Sequence, residues 1–370
     1  METPTATAST ARSRLEPLLV LAGIYFVHYL LLRTSLHAGL ELPAARPFRN
    51  FPGYVLLGWD GEHYLNLART FSSYAWPPLY PFALRGVEAL LPRGGLPGAA
   101  LLVNLASHAA IVLLAYAFVR GSPRLREVPP WLFAALMLFF PGHNVFFAAY
   151  TESLFLALSL GACVAWQRER LLLAAVLVGL ALLARNMGVY LGAGLVAAEV
   201  LRAVSQRKLE PRRLLASLAW VPFFIGWNLW LRFVAGTDPV AATAGWQEEL
   251  LTVHVPPGAN PKLWVLRYLM LPGKKEALFF WASVAAAGYC WVRRLRVEAL
   301  YIVFFLLSHA VYLYRPFPFS RYTSVLFPLT LMVADALRRW PSMQAVALAL
   351  AVAVSHHHEV ILYMNRGGEP

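Results

Sequence analysis

Long apolar runs recur along the chain, separated by short polar stretches. Each is close to the ~20 residues that a helix needs to cross a bilayer. Hydropathy predicts about eleven spans. They cover 15–33, 98–119, 130–147, 150–166, 171–184, 187–204, 214–235, 276–292, 297–314, 321–337 and 342 to about 363. The runs do not alternate with period two, so they are not barrel strands. Backbone polar groups in lipid must be satisfied within their own segment, which makes the expected architecture all-α. The run at 171–184 is short; were it and 187–204 re-entrant, the local count would change and the long loops would keep their side. No repeat of fixed period is visible. The expected organisation is a disordered cytoplasmic tail over residues 1–14 and one transmembrane domain over 15–370. The apolar run after Arg14 is long for a signal-peptide core and is followed by many spans, so it is expected to stay as an uncleaved first helix.

Two long connections break the rhythm, residues 34–97 and 236–275. In the first, Asp60 stands as a helix N-cap. Tyr64, Leu65, Ala68 and Phe71 then fall on one helical face, with Glu62, Asn66 and Arg69 elsewhere. This pattern predicts a short amphipathic helix in the membrane interface. Pro77, Pro78 and Pro81 punctuate its end, and an apolar stretch follows over 79–91. In the second connection, Pro256-Pro257 precedes an apolar stretch at 263–271, a further candidate interfacial helix.

Composition agrees with the pattern. The 370 residues are 59% hydrophobic and 14% charged, against roughly 25% charged in soluble domains. The net charge of +13 would suggest nucleic acid in a soluble protein. Here the arginines sit in short clusters between apolar runs, at 120–126, 168–170, 207–213, 293–296 and 338–339. Counting spans puts every such cluster on the side of the N-terminal tail. The positive-inside rule makes that side cytoplasmic and both long loops, which are exempt from it, extracytoplasmic. The charge is thus assigned to topology and to anionic lipid, and no nucleic-acid partner is expected. Cys163 and Cys290 lie inside apolar runs and carry neither a disulfide framework nor metal-ligand spacing. The Ala/Leu/Arg-rich composition leans toward a bacterial inner membrane.

Several stretches share one resemblance. Trp59-Asp60-Gly61 with His63-Tyr64 resembles the first-loop motif of the mannosyltransferases that add the second mannose of GPI anchors, the PIG-V-like family, and of their bacterial relatives. Pro78-Leu79-Tyr80-Pro81 is similar to the motif that follows it there. Phe146-Phe147-Ala148-Ala149-Tyr150-Thr151-Glu152-Ser153-Leu154-Phe155 resembles the family's most specific block. Ala184-Arg185-Asn186-Met187-Gly188 and Ser320-Arg321-Tyr322 with Phe327-Pro328 resemble two later ones. The chain departs from the pattern at Trp76-Pro77, at His143-Asn144 and around Asn186. The resemblance implies a GT-C glycosyltransferase fold with a catalytic extracytoplasmic face. It also implies a polyprenyl-phosphate sugar as donor, transfer with inversion and a glycan or glycolipid acceptor, with mannose the expected sugar. No cofactor and no metal are expected, since the lipid-linked sugar is itself a substrate. Consistently, the sequence has no glycine-rich phosphate loop.

Each candidate has a plainer role beside the chemical one. Sugar transfer needs a base for the attacking hydroxyl, and Asp60 is the candidate; otherwise it only caps a helix. Glu62 points away from it. Glu152 starts a span, where it suits the helix dipole or meets a sugar hydroxyl, with Tyr150 lining the same site. Arg185 and Arg321, at outer span ends, are candidates for the donor phosphate; otherwise they snorkel to lipid headgroups. His63 is a candidate ligand for phosphate or metal, with a structural role favoured. Trp59, Trp76 and Tyr80 could stack on a sugar ring, or belong to the interfacial aromatic belt. His356, His357 and His358 are consecutive and cannot share a helix face. A transporter or flippase of a lipid-linked anion is the alternative. It predicts broken helices and charges at the membrane midplane, whereas these charges cluster at span ends.

Overall fold

The computed structural model describes residues 6–40, 60–71, 76–91, 95–140, 144–238, 275–311 and 319–364. Among these residues every regular element is a helix. In chain order they are α1 (Ala6–Leu40), α2 (Asp60–Thr70), α3 (Leu79–Leu90), α4 (Gly95–Gly121), α5 (Pro130–Leu138), α6 (Asn144–Phe147), α7 (Glu152–Gln167) and α8 (Leu171–Ala184). Then follow α9 (Gly188–Gln206), α10 (Pro211–Ser217), α11 (Val221–Phe233), α12 (Lys275–Val292), α13 (Arg296–Val311), α14 (Phe319–Thr323), α15 (Phe327–Ala336) and α16 (Pro341–Met364). Four stretches are long and apolar enough to cross a membrane: Leu15–Thr34, Gly95–Gly121, Gly188–Gln206 and Pro211–Phe233. Four shorter apolar helices accompany them, Glu152–Gln167, Leu171–Ala184, Glu276–Val292 and Phe327–Ala336. The interfacial stretch expected at 263–271, Trp59 and most of the second long loop lie outside the described residues.

Three expected spans are interrupted, each beside a proline. Among its described residues the run 130–147 is helical from Pro130 to Leu138 and from Asn144 to Phe147. Pro141-Gly142 lies between, and a residue before proline is pushed out of the helical region. The run 214–235 holds α10 and α11 joined by a short turn, with Pro222 in the first turn of α11, and the two together remain one stretch long and apolar enough to cross a membrane. The run 321–337 divides into α14 and α15, where Pro328 opens the second helix and Leu326 leaves helical geometry at ψ 74°. Proline suits a first turn, where its missing N–H is not needed, and breaks an interior. Apolarity alone therefore overestimated the continuity of these runs.

The main core lies around α5 and α7, with Phe133, Met137, Phe155 and Leu160 fully buried. The Phe118 ring meets Phe327 edge-on at 5.6 Å, fastening α4 to α15. Helix α7 packs along α8 and α4, and α9 along α13. A smaller core lies under the first loop: Tyr64, Leu65 and Ala68 of α2 pack with Tyr80 and Leu84 of α3 and with Leu96 and Ala99 of α4.

Helix directions give the bundle two chemically distinct ends. One end gathers the basic clusters. Arg124 donates to the Arg294 carbonyl at 3.4 Å, and Arg293 returns a bond to the Arg124 carbonyl at 3.3 Å. Arg338 pairs with Glu127 at 2.9 Å, and Arg213 with Glu169 at 2.5 Å. The buried Asp335 gathers Arg338, Arg293 and the Tyr289 hydroxyl. These contacts join loops that the charge pattern had put on one side. The starts of α2, α7 and α9, the end of α8 and the short helix α14 lie at the other end.

Candidate functional site

At this second end four charged side chains from distant parts of the chain meet. Arg321 Nη2 donates to Asp60 Oδ2 at 2.5 Å, and its Nε donates to Glu152 Oε1 at 2.9 Å. Arg185 Nη1 reaches the same Glu152 oxygen at 2.6 Å and Thr151 Oγ1 at 3.1 Å. The result is a chain Asp60–Arg321–Glu152–Arg185 of alternating charge. Side-chain exposure is 18% for Arg321, 11% for Asp60, 10% for Arg185 and zero for Glu152. Both guanidinium groups are engaged by carboxylates within the protein.

Local structure explains the aim of each group. Asp60 is the first residue of α2, in its first turn with Glu62. It was expected as a cap; instead its carboxylate turns to Arg321, while the positive end of the helix still favours its charge. Helix α2 is held in place by its apolar face and by Gly61, whose Cβ position lies 3.6 Å from Ala149 and Tyr150. Phe71, expected on that same face, lies just past the helix at φ 50° and meets Phe82 at 4.6 Å. Glu152 opens α7 after Thr151, whose hydroxyl serves Arg185 and the Tyr64 hydroxyl (3.3 Å) and makes no cap bond.

Arg185 is aimed by a tight turn. It leaves α8 in extended geometry, and the Gly188 N–H returns to its carbonyl at 2.9 Å. A Cβ on Gly188 would stand 2.3 Å from the Leu182 nitrogen, so only glycine lets α9 start this close to α8.

Polar networks stiffen the floor of the site. The Tyr80 hydroxyl donates to Asn104 Oδ1 at 3.4 Å, and Asn104 Nδ2 donates to the Ala148 carbonyl. His108 joins Tyr25 at 2.7 Å to Ser153 and the Phe146 carbonyl, both at 2.9 Å. The Tyr150 ring lies under Arg321, with Cζ 4.8 Å from its centroid, a cation–π contact. Burial pushes the Tyr64 hydroxyl well above its ordinary pKa, with Glu152 and Asp60 adding to the rise and Arg185 opposing it. Tyr64 is therefore a neutral hydrogen-bonding group and not a base. Glu152 Oε2 is buried and has no hydrogen-bond partner among the described residues. Leaving such an oxygen unsatisfied costs about 1–3 kcal/mol or more, and Glu152 is fully buried, so no ligand reaches that oxygen in this geometry.

The expected residues separate on this geometry. Asp60, Tyr150, Glu152, Arg185 and Arg321 come together. Tyr80 is fully buried against Tyr64, 5.5 Å between centroids, and serves as core. His63 is exposed and stacks beside Trp76 at 6.3 Å. Asn186 is exposed in the turn after Arg185. Thr151, Tyr64 and Asn104 were not singled out as site residues. A polar Asn inside an apolar span was the signal for Asn104, and Thr151 sits inside the block that carries the resemblance.

No protein-family model matches the chain, and no curated protein matches it. Two solved structures align with the chain. One is the oligosaccharyltransferase AglB of the archaeon Archaeoglobus fulgidus in complex with an inhibitory peptide and a dolichol-phosphate, at 13% identity and a TM-score of 0.41, over 97% of this chain and 57% of that one. The other is the Archaeoglobus fulgidus oligosaccharyltransferase in its apo form, at 13% identity and 0.41, over 93% and 56%. This chain thus spans little more than half the length of either.

Proposed function

We propose that the chain is a GT-C-type glycosyltransferase of the PIG-V-like kind, with about eleven spans in all, acting at the extracytoplasmic face of a membrane. It moves a sugar, with mannose the expected one, from a polyprenyl-phosphate donor to a hydroxyl of a glycan or glycolipid. The observation that carries this reading is Arg321 bridging Asp60 and Glu152 while Arg185 holds the same Glu152 oxygen. One carboxylate and two guanidinium groups within one shielded cluster match what inverting transfer from a lipid phosphate requires.

In this mechanism the acceptor oxygen attacks the anomeric carbon from the face opposite the phosphate. The bond from that carbon to the phosphate oxygen breaks, and its electron pair stays with the lipid phosphate. Asp60 accepts the proton of the attacking hydroxyl, a contribution of roughly 10²–10⁴-fold. Arg321 and Arg185 meet the charge that develops on the phosphate, the task for which a planar, forked donor is suited. Arg321 is held by Asp60 in the resting site, so donor binding draws its Nη2 toward the phosphate and releases the base. Glu152 keeps both guanidinium groups in place through Oε1. Trp59 and Asn186 remain candidates for the sugar or acceptor, and His63 for the acceptor entrance.

The test is direct. Purified protein is incubated with polyprenyl-phosphate mannose and an acceptor glycolipid, and release of polyprenyl phosphate is followed. Release that depends on the acceptor is expected. No release with mannose, glucose or galactose donors, in protein that remains folded, would remove the reading.

A further inference from the structure

A second feature runs along α7 away from the charged cluster: its near end, at Val87 and Leu154, borders the small core under the first loop, and its far end lies at the basic end of the bundle. An apolar groove of about 720 Å³ runs between α4, α7 and α8. Its walls include Ala110, Ala157 and Gly161, and Leu102 and Leu173 on its lining are exposed. Small side chains make the groove, because they leave a channel where larger ones would close the helices together. Along α7 it extends from Leu154 to Ala165, which is ~16 Å at 1.5 Å per residue. That is close to one leaflet of a ~30 Å hydrocarbon core.

The groove ends at Arg168 and Arg170. Both are exposed, and neither has an ion-pair partner among the described residues. The acid between them, Glu169, is engaged by Arg213 at 2.5 Å. Several arginines at this end have acidic partners, Arg120 with Glu16, Arg202 and Arg213 with Glu199, Arg338 with Glu127, and others such as Arg124 have none among the described residues; Arg168 and Arg170 are the basic residues on the lining of this groove. An apolar channel of one acyl length, closed by two uncompensated guanidinium groups, is complementary to a lipid with an anionic headgroup.

The geometry points to a binding site for an anionic phospholipid, its phosphate on Arg168 and Arg170 and one acyl chain in the groove between α4, α7 and α8. The site is separate from the donor site. Helix α7 carries Glu152 at its start and the groove's arginine Arg168 just beyond its end, so the two headgroup positions lie at opposite ends of that helix. A guanidinium pair recognises the phosphate by charge and hydrogen bonding, and the groove excludes a soluble anion from most of the contact.

Native mass spectrometry of the full chain, released from detergent with added phosphatidylglycerol or phosphatidylcholine, tests the proposal. One retained phosphatidylglycerol is expected, preferred over phosphatidylcholine by roughly 30-fold, the factor for two arginines near an anionic headgroup. Arg168→Gln with Arg170→Gln should bring the preference close to one while leaving the protein folded. Ala157→Leu, which fills the channel and leaves the arginines intact, should reduce retention of the lipid. Three results would overturn the site: a preference unchanged in the double glutamine variant, retention unchanged by Ala157→Leu, or competition by inorganic phosphate as strong as by the lipid. A dimer that Ala157→Leu dissociates, without change in bound lipid, would make the groove's occupant a second copy of the chain and likewise refute the proposal.

Discussion

At the scale of single residues, Asp60 and Glu152 are both carboxylates bound to arginine, yet their surroundings assign them different tasks. Asp60 keeps slight exposure and shares one oxygen with one guanidinium. Glu152 is fully buried and anchors two. Asp60→Asn preserves size and helix-start chemistry, and Arg321 retains Glu152 as a partner. The variant should fold and bind donor, and its turnover should fall by roughly 10²–10⁴-fold. Turnover at saturating donor beside wild type, with thermal stability recorded, decides it; near-normal turnover would reduce Asp60 to a structural residue. Glu152→Gln should behave differently. It takes the shared charge from two shielded arginines, and breaking a buried pair on one side costs about 3–5 kcal/mol. A clear drop in thermal unfolding temperature is expected, and an unchanged value would show that Arg185 and Arg321 do not depend on Glu152.

At the scale of elements, the site depends on short breaks between helices. Arg185 reaches Glu152 because α8 stops at Ala184 and α9 restarts at Gly188 with almost no intervening chain. Gly188→Ala drives a methyl into the Leu182 backbone at 2.3 Å. Backbone cannot swing aside as a side chain does, so the cost should reach the upper part of the overpacking range, about 3 kcal/mol. The displaced turn should also weaken donor binding by moving Arg185. Thermal stability and donor affinity of the variant check both effects, and a silent substitution would mean that the turn yields freely. Arg321 depends on a similar break, since α14 ends at Thr323 before Pro328 opens α15.

At the scale of the whole molecule, charge is divided between two ends of one bundle. The basic end is laced by pairs such as Arg338–Glu127 and Arg213–Glu169. The other end carries the Asp60–Arg321–Glu152–Arg185 cluster. On the proposed reading, the positive-inside rule orients the bundle with the cluster outside. Single cysteines placed at 62 and at 208, in a chain with its buried Cys163 and Cys290 intact, test this with a membrane-impermeant thiol reagent on intact cells. Labelling at 62 and protection at 208 is expected, and the reverse pattern would invert the topology.

The hydrophobic pattern by itself determined an all-helical chain, the order of the apolar runs and the gathering of arginines between them. Period and charge are local properties that each segment carries alone. The quoted motifs also singled out Asp60, Tyr150, Glu152, Arg185 and Arg321. Helix continuity is less legible: one proline barely lowers the mean hydropathy of a long apolar run, yet it breaks backbone hydrogen bonding, so hydropathy does not mark the breaks within 130–147, 214–235 and 321–337. Only the tertiary structure decided that Arg321 pairs with Asp60, 261 positions away, and that Tyr80 is core. Such pairings depend on how helices pack against one another, and sequence separation carries no trace of that distance. The apolar groove is of the same kind, because it exists only where small residues on α4 and α7 meet across a gap.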